Sequence, residues 1–287
     1  MALAVVAVWG STFISTKLLL LGGLTAAQIF VLRFLMAYVL LLAYSLAKGI
    51  RWWSALWQDE LLMVALGVTG GSLYFLTENS SMNYTTTTNT SLIVSLSPLF
   101  ATLLISIFFK SQRLSLIQTM GSLMAALGVA VVVLNGRFVL HLSPLGDSLA
   151  FGACLCWAVY SLLMIPACSR YDTVFITRKV FFYGLLSMVP YLVVRPGLGI
   201  GLLAGQPRLV LHLLFLGCVA SMLCFLAWNW VLRKLGAVVA TNYVYFNPVT
   251  TIVFAWIILH EQITVFFLLG TVLILVGMLV VERPPRA

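Results

Sequence analysis

The 287 residues are 62% hydrophobic and only 8% charged, against roughly 25% charged in a soluble domain, and the mean hydropathy is +1.12. No soluble fold hides that much apolar surface, so lipid is the solvent; the net charge of +9 is scattered singly or in pairs between apolar runs, which excludes a nucleic-acid patch. The five cysteines fall in or beside apolar runs of the second half, odd in number and without paired metal-ligand spacing, which argues against a disulfide frame or a metal site.

A bilayer core of about 30 Å needs about 20 apolar residues per helix. Windows of that size, in chain order, cover 2–21, 26–47, 61–80, 85–109, 114–134, 145–167, 173–194, 208–231, 237–259 and 263–281. The expectation is an all-α integral membrane protein of ten transmembrane helices. Span 1 lacks the basic leader of a signal peptide and is as long as a full span, so it reads as a helix. With both termini in the cytoplasm, alternate loops place eleven Lys and Arg inside and four outside, with Arg33 within a span. That bias sets the expected orientation in a cell membrane.

The two halves share a skeleton. Pro98 is followed by Gly121 and Gly128, and Pro248 by Gly270 and Gly277, with a polar break between in each case. The breaks are Lys110-Ser111-Gln112-Arg113, basic, and His260-Glu261-Gln262, not basic. Five spans per half is odd, so the second half enters the membrane from the opposite face, and homologous breaks with opposite charge bias agree with that. Residues 1–136 and 143–282 are therefore read as two inverted five-helix repeats. Trp9-Gly10-Ser11 pairs with Trp157–Tyr160, and Leu73–Glu78 with Cys224–Asn229, in the same order.

The chain resembles the drug/metabolite transporter superfamily in its ten-helix EamA-type branch. Trp9-Gly10-Ser11, Leu32-Arg33-Phe34 and Asn83–Thr90 leading to Ser97-Pro98-Leu99 carry the likeness. Asn247-Pro248, His260–Thr264 and the glycines at 270 and 277 extend it over essentially the whole chain. One departure is Lys110-Ser111-Gln112, where the family often has an acidic residue. The resemblance implies a central cavity lined by spans 1, 3, 4, 6, 8 and 9, with spans 5 and 10 peripheral, and an exporter of a small metabolite such as an amino acid.

The residues point to the same spans. Asn89, Ser95, Asn242, Tyr245 and Asn247 concentrate polar groups in spans 4 and 9, where facing lipid would cost several kcal/mol each. They read as cavity lining or as interhelical glue. Pro98 and Pro248 each remove a backbone hydrogen bond and mark helix kinks. Arg33 lies about eight residues, or roughly 12 Å, into span 2. Glu78 lies near the same face in span 3, so an Arg33–Glu78 ion pair is geometrically allowed. Glu78 is either a coupling site for protons or cations, a partner for a substrate amine, or half of a structural pair. Lys179, the counterpart of Arg33, is expected to snorkel to the interface. Trp9, Ser11, Trp157, Tyr160, Trp228, Asn229 and Tyr245 complete the candidate substrate-binding set, with aromatic walls suited to an amino acid or a drug-like cation. Glycine-spaced spans 5 and 10 suit close packing or dimerisation, so the protein is expected as a monomer or homodimer.

Soluble-enzyme motifs are missing, and no cofactor is expected. Three rival readings stand beside the amino-acid carrier: an exporter of cationic drugs, an intramembrane enzyme and a channel. Protons are a candidate co-substrate, and nucleic acid is not an expected partner.

Overall fold

A computed structural model describes residues 1–109, 115–134, 143–195, 197–259 and 265–282; the two polar breaks lie outside the described residues. Helices account for all regular structure there. In chain order they are α1 (Ala2–Leu21), α2 (Ala26–Ala47), α3 (Trp57–Tyr84), α4 (Asn89–Phe108), α5 (Leu116–Leu134), α6 (Pro144–Arg170), α7 (173–194), α8 (Pro207–Leu235), α9 (237–259) and α10 (Val265–Glu282). Six of these, α1, α2, α3, α4, α6 and α8, are long and apolar enough to cross a membrane, and shorter apolar helices accompany them. The protein is a multi-pass helical membrane protein.

Local chemistry sets the boundaries. Thr25 and Gln28 form a reciprocal capping box that starts α2. α3 begins at Trp57, four residues before the expected window, because Asp59 and Glu60 suit a helix N-terminus. The strand of residues from α8 to α9 turns within the single residue Gly236, whose φ of +79° is open to glycine without strain.

Five helices are interrupted; α7 is one of them, stopping at Leu186 and restarting at Val189 beside Pro190. α4 breaks after Val94 and restarts at Ser97, with Pro98 in its new first turn. α9 passes through a 3₁₀ stretch, Tyr243–Phe246, and restarts at Asn247 beside Pro248. Neither proline can donate to the turn before it, so each marks a restart. α3 and α8 instead contain π-helical stretches, Val68–Leu73 and Phe215–Leu223. Both stretches sit where glycines let neighbours approach: a Cβ on Gly70 would lie 2.1 Å from the Tyr160 ring, and one on Gly217 2.4 Å from Met36. Extra-wide turns of this kind often accompany functional sites, and each delivers its helix into the centre of the molecule.

α5 and α10 form the most extensive helix pair. Gly121 faces Gly277 and Gly128 faces Gly270, so the two helices run antiparallel with backbones in contact; a Cβ on any of the four would fall within 3 Å of the opposing backbone. Small residues allow this approach in lipid, where packing rather than hydrophobicity joins helices. The glycine faces expected to serve packing or dimerisation are thus occupied within the chain. Outward-facing Leu123, Leu127, Leu268, Leu269 and Val272 are all more than half exposed and suit lipid.

Candidate functional site

The central helices meet at an aromatic cluster. Trp9 of α1 packs edge-on against Trp157 of α6 at 5.3 Å and at a tilt against Trp228 of α8 at 5.1 Å, and Tyr74 of α3 lies 5.1 Å from Trp157. Inside it is a cavity of about 20 Å³, room for about one water. Its apolar wall includes Trp9, Phe75, Trp157 and Phe225, and its polar contributors are Thr12, Arg33, Tyr74, Glu78, Ser97 and Asn247. Lining therefore comes from α1, α3, α4, α6, α8 and α9, with α2 added through Arg33.

Arg33 is 1% exposed. Its Nε donates to Ser221 Oγ at 2.8 Å, on the π-helical stretch of α8, and its guanidinium lies 4.4 Å from the Phe75 ring centre. Both Nη groups lack a hydrogen-bond partner among the described residues. Glu78 does not form the direct ion pair with Arg33 that the depths of the two residues allow. Its Oε1 accepts from Tyr74 Oη at 2.8 Å, one turn earlier on α3. Ser221 and Phe75 hold the guanidinium in one orientation and Tyr74 holds the carboxylate, so cation and anion face one cavity without neutralising each other by contact.

Three more polar atoms converge there. Ser97 Oγ, Trp157 Nε1 and Asn247 Oδ1 are buried with no hydrogen-bond partner among the described residues. A buried unsatisfied group costs about 1–3 kcal/mol, and three of them line this one void. Trp9 Nε1 is satisfied by the Ala220 carbonyl at 3.0 Å.

The remaining expected residues lie elsewhere. Ser11 Oγ turns back onto the Val8 carbonyl at 2.7 Å. Asn89 lies in the first turn of its helix, where its backbone N–H donates to the capping Thr86 Oγ1 at 3.1 Å and its Nδ2 donates to Thr85 Oγ1 at 3.3 Å. Ser95 is buried away from the cavity lining, and Asn242 spends its Nδ2 on the Val238 carbonyl at 2.7 Å. Tyr245 pairs with Ser122 Oγ of α5 at 3.0 Å. Tyr160 donates to Asn229 Oδ1 at 2.8 Å, and Asn229 Nδ2 donates to Thr177 Oγ1 at 2.8 Å, a buried chain joining α6, α8 and α7. Trp228 is a buried wall behind Trp9. Tyr74, Phe75, Phe225 and Ser221 escaped the sequence reading. A buried carboxylate needs a donor, and the tyrosine four residues before Glu78 was the available signal.

A second polar cluster closes one end of the bundle. Lys179 is buried, not snorkelling: it pairs with Glu60, which also accepts from Tyr183 and from the Ser54 N–H at 2.9 Å. Arg178 donates to the carbonyls of Ile50 and Arg51, and Asp59 takes hydrogen bonds from Arg170 and Tyr171. Segment 50–60 of the first half is thereby clamped to α6 and α7 of the second. Lys179→Met is expected to lower stability by about 2 kcal/mol, because Glu60 is left without its cation. Thermal unfolding in detergent checks this, and Glu60→Leu added to it should recover part of the loss; equal stability of all three proteins would remove the clamp.

A model of the EamA-like transporter family matches residues 1–134 and 144–283. The chain is 27% identical over 276 residues to an "Uncharacterized transporter" of Archaeoglobus fulgidus, covering 96% of this chain and 95% of that protein. It is 25% identical over 225 residues to a "Probable terminal-alkyne amino-acid exporter" of Streptantibioticus cattleyicolor, covering 78% and 74%. A solved crystal structure superposes with a TM-score of 0.74 over 98% of this chain and 94% of that one, at 18% identity, a likeness of fold alone.

Proposed function

Since the chain belongs to the EamA-like transporter family, we propose that it is a secondary carrier that moves a small amino-acid-like metabolite out of the cell by alternating access. Its frame is ten transmembrane helices in two inverted repeats, 1–136 and 143–282, in the cell membrane with both termini cytoplasmic. Support for the inversion comes from the antiparallel glycine pairs of α5 and α10 and from π-helical stretches at matching places in α3 and α8. The family model's two separate matches agree with that division. The cytoplasmic excess of Lys and Arg supports the orientation.

The observation that carries the substrate reading is the pair of Arg33 Nη groups, without a hydrogen-bond partner among the described residues, on a side chain that lines the same cavity as Glu78. A planar guanidinium fork matches a carboxylate, Glu78 matches an ammonium, and the aromatic walls accept an apolar side chain. Asn247 and Ser97 complete the polar lining. A purely cationic drug fits the walls and Glu78 but meets the charge of Arg33, so the zwitterion is favoured. A cavity of about 20 Å³ is too small for an amino acid, which supports a cycle in which the halves part to load and unload. The relative named as an amino-acid exporter supports the direction. Protons remain a candidate co-substrate through Glu78.

Proteoliposomes preloaded with unlabelled leucine or phenylalanine test the reading. Saturable uptake of the labelled amino acid, accelerated by the internal pool, is expected. Uptake that rises linearly without counterflow would mean a channel, and conversion of the label would mean an enzyme.

A further inference from the structure

We propose that a pocket beside the clamp binds the phosphate of an anionic phospholipid headgroup. Its volume is about 370 Å³, far beyond the ~30 Å³ of a single water. It lies between the end of α2, with Lys48 and Arg51, and the corner of α6 and α7, with Arg170, Tyr171, Asp172 and Phe175.

Charge selects the ligand. Asp172 is the pocket's single carboxylate, and Arg233 answers it at 3.2 Å. Arg170 pairs with Asp59 at the pocket's edge. Lys48 and Arg51 have no carboxylate within ion-pair distance among the described residues. Two cations without a contact ion pair among the described residues therefore line one polar pocket, with the exposed side of Arg170 beside them.

Arg51 is also held in place. Its carbonyl accepts from Arg178, and its guanidinium lies over the Tyr171 ring at 4.6 Å and the Phe175 ring at 5.3 Å. Those two rings are buried and stack at 4.9 Å, so the cation rests on a rigid floor. A pre-positioned arginine loses less freedom on binding an anion than a free one.

Depth selects the source of the phosphate. Trp52, Trp53 and Trp57 follow Arg51 in the chain and are 50%, 68% and 71% exposed. Exposed indoles in a helical membrane protein lie at headgroup level, where basic pockets between helices collect anionic lipid. A headgroup phosphate on Arg51 and Arg170 also bridges the first half to the second, across the contact that Lys179 and Glu60 make beneath it. The occupant thus reinforces the closed clamp.

Native mass spectrometry on protein extracted from phosphatidylcholine nanodiscs with and without phosphatidylglycerol tests the site. The intact protein should retain one phosphatidylglycerol, and Lys48→Gln/Arg51→Gln should lower its retention about thirty-fold. Lys48→Gln alone, which disturbs no stacked ring, should lower it about five-fold. Lys234→Gln, at a cation 6.0 Å from the Trp230 ring centre, should leave it unchanged. Wild-type retention by the double variant, or equal loss in Lys234→Gln, would overturn the site. Inorganic phosphate at millimolar concentration raising thermal stability in pure phosphatidylcholine as much as phosphatidylglycerol does would overturn the lipid as its ligand.

Discussion

Arg33→Gln is expected to reduce amino-acid counterflow about a hundred-fold while leaving thermal stability unchanged or raised. Hydrogen bonds to charged groups contribute about 1.5–3 kcal/mol each, and losing two from the fork at about 1.4 kcal/mol per factor of ten gives that scale. The stability half of the expectation separates binding from scaffolding. Arg33 is a buried cation that touches Ser221 and Phe75 but, among the described residues, no carboxylate, so its desolvation is only partly offset and its removal relieves the folded state. A structural arginine would show the reverse, a fall in stability with transport following it. Glu78→Gln is the companion test. A glutamine oxygen still accepts from Tyr74, so the fold persists, and transport and its pH dependence are expected to be lost together. Intact transport with an unchanged pH profile would leave Glu78 as a wall residue.

Gly270→Leu is expected to cost more stability than any other single change considered, lowering the unfolding temperature by about 10 °C or more. A Cβ at 270 meets the Gly128 carbonyl oxygen and the Val132 nitrogen, both at 2.7 Å. Backbone cannot give way as a flexible side chain does, so the helices must separate. Overpacking costs about 1–3 kcal/mol where the core can adjust, and here an entire helix pair loses contact. Gly128→Leu should behave alike, and the two together should cost less than their sum because they disrupt one interface. If Gly270→Leu unfolds at the wild-type temperature, the antiparallel glycine contact does not hold α5 to α10.

The glycine skeleton was legible because close helix packing in lipid leaves few residue choices. Composition and window length likewise made the membrane class plain, since a bilayer admits little besides apolar helices. The largest shifts in span starts, at α3 and α4, fall where local chemistry sets the first turn: Asp59 and Glu60 in α3 and the capping Thr86 ahead of α4. The site was legible in part. Arg33, Glu78, Trp9, Trp157 and Asn247 all line the cavity, and each is a residue whose burial in lipid demands a reason. Asn229 and Tyr160 have the same residue chemistry yet satisfy one another, and Tyr245 is satisfied by Ser122.

By itself, then, the sequence determined the solvent, the helical class and which side chains could not face lipid, because those follow from transfer free energies that each residue carries alone. Which of those side chains find a partner was decided only by tertiary structure. Hydrogen bonding between helices depends on where another helix places its atoms, and no spacing within one helix records that Arg33 meets Ser221 or that Lys179 reaches Glu60 instead of the interface.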